Sequence, residues 1–222
     1  MSPEHRSPIL RNALAIGAAT GAYALSFGAL SVAAGLSVPQ TVALSLLMFT
    51  GGSQFALVLT LGAGGGWVPA SGSAALLGFR NAFYGLRIAE LLGRPRGWRR
   101  LLTAQFTIDE TTAMALGQAE PAASRYAFWA TGLSVYVLWG AGTLAGALGA
   151  QLLPDPRALG LDAAAPAAFL ALLAPRLRGR EPWLVAALAV AVALLLVPVV
   201  PAGVPVLVAG LVAVAVGLRG TP

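Results

Sequence analysis

The chain has no cysteine, no lysine and one histidine, and only 10% of its 222 residues are charged. Without cysteine there can be no disulfide, thiol nucleophile or cysteine metal site. The lone His5 lies in a polar N-terminal tail. It has no second histidine with which to build a metal or acid–base centre, and no cofactor is expected. A soluble domain of this size carries about 25% charge, so this chain lacks the polar surface to wet a globule. The strict polar–apolar alternation of a membrane β-barrel is missing too.

The rest is largely apolar. Hydrophobic residues make up 58% of the chain and the mean hydropathy is +0.80. The predicted class is all-α: a polytopic membrane helical bundle forming a single domain over residues 1–222, with about six to eight hydrophobic segments. All 14 basic residues are arginine, and the net charge of +6 sits mostly in short loops. That pattern reads as topology and headgroup contact, with membrane lipid as a partner and no nucleic acid.

The apolar segments run over residues 13–35, 40–62, 67–92, 101–118, 126–152, 162–175, 183–200 and 203–218. The first is too long for a secretory h-region and lacks a clear cleavage site, so it is expected to be retained with a cytoplasmic N-terminus. Gly17, Gly21, Gly28 and Gly35 line it, as Gly140, Gly142, Gly146 and Gly149 line the fifth, which predicts close helix packing. The last two segments read as lipid-facing scaffold. Arginine clusters in Gly93–Arg100 and again between Arg176 and Glu181, and both loops should face the cytoplasm. Three full crossings before the first loop would put it on the wrong side. One of the first three segments is therefore expected to be broken or re-entrant, and the short 162–175 segment likewise. Gly35-Leu36-Ser37 and Gly160-Leu161-Asp162 form a faint internal echo of the kind that repeats leave in transporters.

Three stretches carry polar groups inside these segments. Adjacent Gly51 and Gly52, flanked by Thr50, Ser53 and Gln54, predict either a tight crossing or an unwound point whose freed N–H groups receive an anion. Arg80, Tyr84 and Arg87 share a helix face, with Asn81 beside Arg80. Arg87 and Glu90 are expected to pair at the interface. Arg80 is either a counter-ion for Asp109 or Glu110 or a carboxylate clamp. Asp109 and Glu110 stand side by side where an unpaired charge costs about 2.5–3.5 kcal/mol. On one continuous helix Gln105, Asp109 and Thr112 would share a face, and Thr103, Thr107, Glu110 and Met114 a neighbouring one. A carboxyl caught between desolvation and an arginine can load and release a proton. Tyr126, Trp129, Tyr136 and Trp139 follow on the fifth segment, as interface anchors or, for Tyr136, as a cavity residue.

Together these stretches resemble a known family. Phe49-Thr50-Gly51-Gly52-Ser53-Gln54-Phe55-Ala56 looks like the "AGASQF" stretch of AzlC proteins. Arg80-Asn81 through Tyr84-Gly85 is similar to their "NLRHLLYG"-like stretch, and Thr107-Ile108-Asp109-Glu110-Thr111 to their "TDE" signature. Trp139-Gly140, Gly146 and Leu159-Gly160-Leu161-Asp162 follow in the same order, and the likeness spans Gly17 to Arg178. One departure stands out: the family stretch commonly reads asparagine before arginine, whereas here Arg80 precedes Asn81. The resemblance implies the large subunit of a bacterial branched-chain amino acid exporter. It implies a multi-pass location in the plasma membrane and a small hydrophobic AzlD-like partner subunit.

Such a protein is expected to be a proton-coupled efflux permease for small apolar amino acids and not an enzyme. A substrate carboxylate would meet Gly51, Gly52, Ser53, Gln54, Arg80 and Asn81, with Tyr84 on the same face as Arg80. Its ammonium would meet Asp109 or Glu110, the candidate proton carriers, with Thr107 or Thr112 nearby. Phe55, Phe83 and Met114 would wall its side chain. A passive pore, an intramembrane aspartyl-type enzyme and a non-transporting scaffold subunit are the alternatives.

Overall fold

The structure, a computed structural model, describes residues 3–152, 170, 173–174 and 177–219. These residues are all-α. The helices are α1 (Pro3–Ala33), α2 (Val38–Leu47), α3 (Gly52–Gly62), α4 (Trp67–Gly78), α5 (Arg80–Leu91), α6 (Trp98–Gln105), α7 (Asp109–Leu116), α8 (Pro121–Ala150), α9 (Arg180–Leu196) and α10 (Val204–Arg219). Segment 162–175 and the Gly160-Leu161-Asp162 half of the echo lie largely or wholly outside the described residues.

Long helices α1 and α8 form the most extensive interface and run parallel. Gly17 faces Ser134, Gly21 faces Leu138, Gly28 faces Thr143, and Gly146 faces Leu25. A Cβ on Gly28, Gly142 or Gly146 would overlap a backbone carbonyl oxygen of the other helix, so only glycine lets the backbones approach this closely. Gly35 and Gly149 face open space instead. The end where α1 and α8 begin is called the lower end below, and the end at Ala33 and Ala150 the upper.

The chain enters α2 at the upper end through a capping box, with Ser37 N donating to Gln40 Oε1 at 2.8 Å and Gln40 N to Ser37 Oγ at 3.3 Å. Helix α2 descends only to mid-height, where Ser45 Oγ lies 3.0 Å from Thr143 Oγ1. Helix α3 then turns back: Gln54 Nε2 donates to Leu44 O at 3.0 Å, and Gly62 lies beside Ala34 at the upper end. Segment 40–62 is thus a hairpin that reaches halfway down the bundle and returns, with its tip at Phe49-Thr50-Gly51.

Helices α4 and α5 run from top to bottom as one rod bent at Phe79. The ladder continues through the bend, from Phe79 N to Ala75 O at 2.9 Å and Ala82 N to Phe79 O at 3.0 Å. Its foot packs Ile88 against Ala115 and Phe128. Segment 101–118 then departs from expectation. It is not one helix but a second half-depth hairpin, rising from the lower end as α6 and returning as α7. Ile108 is extended at φ −129° and ψ 175°, which breaks the helix before Asp109. Gln105 and Asp109 therefore share no helical face, nor do Thr103, Thr107 and Glu110. The physical reason lies at the start of α7. Asp109 and Glu110 occupy its first turn, where carboxylates complement the helix dipole. Thr111 Oγ1 accepts from Ile108 N at 3.1 Å and donates to Phe106 O at 2.7 Å, closing the tip.

Helix α10 lies along α4, with Leu207 against Gly72 and Leu76 against Gly210. The turn before it packs Gly203 on Thr60 and Pro69 near the upper end. Helix α9 has no buried residue, in keeping with an outer scaffold. Two helices, α1 over Arg6–Ala33 and α8, are long and apolar enough to cross a membrane. The expectation of six to eight such segments is corrected to these two among the described residues. The second, third and fourth apolar runs are cut at Gly51, Phe79 and Ile108, and α9 and α10 stop at 17 and 16 residues.

Candidate functional site

The two hairpin tips meet at mid-height, one from each end. Gln105 Nε2 donates to Leu46 O at 2.8 Å, and Phe49 packs edge-on against Phe106 at 5.8 Å. Two half-helices, α3 and α7, start here with N–H groups that have no intrahelical partner. Gly51 makes the first start possible. Its φ of 59° is left-handed, and its N–H is held by Gln54 Oε1 at 3.1 Å.

Beside the tips lies a cavity of about 80 Å³. Gly51 and Gly52 line it from the upper hairpin, Asp109 and Glu110 from the lower hairpin, and Arg80 from the bend of the α4–α5 rod. Helices α1 and α8 supply Tyr23 and Trp139. Arg80 Nη2 and Asp109 Oδ2 are 2.6 Å apart, with side chains 31% and 33% exposed. The pair is therefore reachable by a small solute, not sealed in the core. Three polar atoms on the cavity wall are buried and have no hydrogen-bond partner: Thr50 Oγ1, Arg80 Nε and Trp139 Nε1. Arg80 Nε and Trp139 Nε1 can only donate, and the Thr50 hydroxyl can donate or accept. With the N–H of Gly52 at the start of α3, they place donors around a cavity that two carboxylates also line. That is the complement of a zwitterion.

The sequence-predicted residues divide between this cavity and its surroundings. Gly51, Gly52, Arg80, Asp109 and Glu110 come together. Ser53 is buried and faces Gly78 on α4. Gln54 is fully buried and holds the upper tip through Gly51 N and Leu44 O. Asn81 lines a second cavity, of about 430 Å³, on the other side of the tip with Gln105 and Thr107. Phe49 and Thr50 line both cavities and form the wall between them. Tyr84 lies on α5 outside both linings. Arg87 Nη1 pairs with Glu90 Oε2 at 3.1 Å near the lower end, as its spacing predicts. Phe83 is exposed, Met114 packs near Ile9, and Phe55 sits behind the wall, stacked on Tyr23 at 4.7 Å. The apolar lining comes instead from Tyr23, Phe49, Val135 and Trp139.

Tyr23 and Thr20 escape a reading of sequence because they lie on a glycine-rich helix with no motif. Trp139 reads as an interface anchor but is only 3% exposed, packed between Phe27 and Tyr23 at 5.9 Å from each. Tyr136 reaches Leu46 O at 3.4 Å beside the upper tip. Among the described residues no group of three histidine, aspartate or glutamate side chains is placed to hold a metal.

No curated protein matches the chain, and no solved structure does. A family model described as AzlC protein matches residues 15–153, more than half of the chain, and covers both hairpins, the bent rod and the α1–α8 pair. The chain belongs to the AzlC family, a group associated with branched-chain amino-acid transport.

Proposed function

We propose that this chain is a multi-pass permease subunit of the bacterial plasma membrane that exports branched-chain or similarly small apolar amino acids by proton-coupled secondary transport. The observation that carries the reading is the cavity at the hairpin tips, lined by the unpaired donors of Trp139 and Arg80, the Arg80–Asp109 pair and Glu110. The substrate carboxylate takes Gly52 N–H, Trp139 Nε1 and the guanidinium of Arg80. Its ammonium takes Asp109 or Glu110 in exchange for the internal ion pair. Tyr23, Phe49 and Val135 receive the branched side chain.

The membrane reading is supported by arginine placement. Arg6, Arg94, Arg96, Arg99, Arg100 and Arg125 all lie toward the lower end, which is then cytoplasmic. It is supported also by large apolar side chains left exposed on many helices, such as Leu47, Val68, Leu101 and Leu195. In this arrangement α1, the α4–α5 rod and α8 cross. The two hairpins enter from opposite sides with their irregular tips covered by protein, the condition for non-helical backbone at membrane depth. Opposed half-depth hairpins with half-helix starts at mid-height suit alternating access. Seating the substrate separates the tips and opens the Phe49–Thr50 wall toward one side or the other. The small hydrophobic AzlD-like subunit is part of the proposal and covers part of the exposed apolar flank.

The test is counterflow of labelled leucine, isoleucine, valine and a non-branched control in proteoliposomes, with and without the small subunit. Saturable counterflow favouring branched substrates is the expected result. Flux that never saturates would mean a passive pore, and activity independent of this chain would mean a scaffold. Asp109→Asn should abolish the pH dependence of export; export that keeps its pH response in a well-expressed variant would remove Asp109 from coupling.

A further inference from the structure

Another concave site lies toward the lower end, with a lining that shares no residue with the cavity of Arg80 and Asp109. The loop between α5 and α6 wraps a cavity of about 980 Å³ against the start of α8. Arg94, Arg96 and Arg99 reach it from the loop and α6, and Arg125 from α8. No acidic side chain lines it. None of the four arginines has an ion-pair partner among the described residues. Four guanidiniums around one concavity repel one another unless an anion sits among them. The loop is held in this shape at some cost: Arg94 is the one described non-glycine residue with positive φ, at 54°, and its N–H donates to Ala89 O at 2.6 Å.

The remaining lining says what kind of anion fits. Trp98 and Trp129 flank the arginines, and Leu92 and Leu102 continue the wall toward exposed apolar surface at Leu101. Tryptophan prefers headgroup depth, and leucine the hydrocarbon below it. Arg99 stands over the Trp98 ring at 5.6 Å, which orients it along the rim. Charge at the lower rim and apolar wall toward mid-height match a molecule with a phosphodiester head and an acyl tail. Basic pockets between helices on the cytoplasmic side hold acidic lipid headgroups for this reason.

We propose that the Arg94, Arg96, Arg99 and Arg125 cavity is a binding site for the headgroup of an anionic phospholipid. This rests on the membrane reading above but on neither the substrate nor the direction of transport, and its test measures no transport. The purified full chain in mild detergent is titrated with phosphatidylglycerol, phosphatidylcholine or inorganic phosphate, following thermal stability and lipid retained in native mass spectrometry. Phosphatidylglycerol should be retained and should raise the melting temperature. Phosphatidylcholine should do so at least tenfold less efficiently, and inorganic phosphate should not reproduce the full shift. Arg99→Gln and Arg125→Gln should each weaken retention several-fold. Arg100→Gln, which removes the same charge from the same loop but lies outside the cavity lining, should not. Equal retention of both lipids, a full shift from phosphate alone, or equal loss in Arg100→Gln would each overturn the proposal. The lipid comparison needs only the wild-type chain, so it stands even where a variant fails to fold.

Discussion

The side-chain amide of Gln105, at the end of α6, donates to the backbone carbonyl of Leu46, near the end of α2, at 2.8 Å. The two residues are 59 positions apart and belong to hairpins that enter from opposite ends. This bond is the direct polar tie between the tips, and it lies on the cavity that also holds Asn81 and Thr107. Gln105→Leu keeps the volume and removes the donor. It should lower stability by about 1 kcal/mol, the net worth of one such bond, and loosen the tips. The expected readout is a slightly lower melting temperature with a larger change in transport rate. Unaltered transport would show that the tips need no polar tie.

Trp139 packs its rings in the aromatic cluster while leaving its N–H unpaired on the cavity wall. Trp139→Phe keeps an aromatic ring in the cluster but removes part of the indole, and should cost about 1–3 kcal/mol of stability. It should raise the apparent KM for export about tenfold, the loss of one hydrogen bond to a charged group. A Phe variant with wild-type KM would take the indole N–H out of substrate binding.

Phe49 separates the two cavities, buried against Phe106 and Tyr136. Phe49→Ala should connect them. Its stability cost is about 3–5 kcal/mol at a fully packed site, and less where the cavities already leave space. Coupled export should give way to downhill leak of substrate or protons, measured as collapse of an imposed pH gradient in proteoliposomes. Tight vesicles with normal export would contradict a gate at this residue.

Gly146 and Gly149 make a matched pair of probes on α8. An alanine Cβ at 146 overlaps the Leu25 carbonyl oxygen, whereas at 149 nothing lies within 4 Å. Gly146→Ala should destabilise by about 1–3 kcal/mol through backbone displacement. Gly149→Ala should be neutral or stabilising by up to about 1 kcal/mol from helix propensity. Thermal denaturation in detergent separates the two, and equal melting temperatures would argue against parallel α1–α8 packing.

Much of this was legible in the residues. The double glycine marks Gly51 as the place for either a tight crossing or a break, because each glycine costs a helix about 1 kcal/mol, and the structure takes the break. The arginine loops point to a segment that turns back if both are to face one side. Arg80 reads from its place in an apolar run as a counter-ion for an acid or a carboxylate clamp, and it stands 2.6 Å from Asp109. The second hairpin was missed although its signal was present: extended, β-branched Thr107-Ile108 followed by Asp109 and Glu110 is a helix start. Reading the acids as an intrusion into one apolar helix hid that they begin a new one.

Composition and local chemistry determined an all-α, apolar chain, the weak point at Gly51 and Gly52 and the ionisable groups available to it, because backbone strain and charge cost act within a few residues. The meeting of the two tips, the place of Tyr23 and Trp139 in the cavity wall, and the assignment of Ser53 and Gln54 to holding the hairpin were decided only in three dimensions. These depend on which helix lies opposite. That choice is made by close contact between Gly28, Gly142, Gly146 and backbones more than a hundred residues away, a distance over which no local pattern in the sequence carries information.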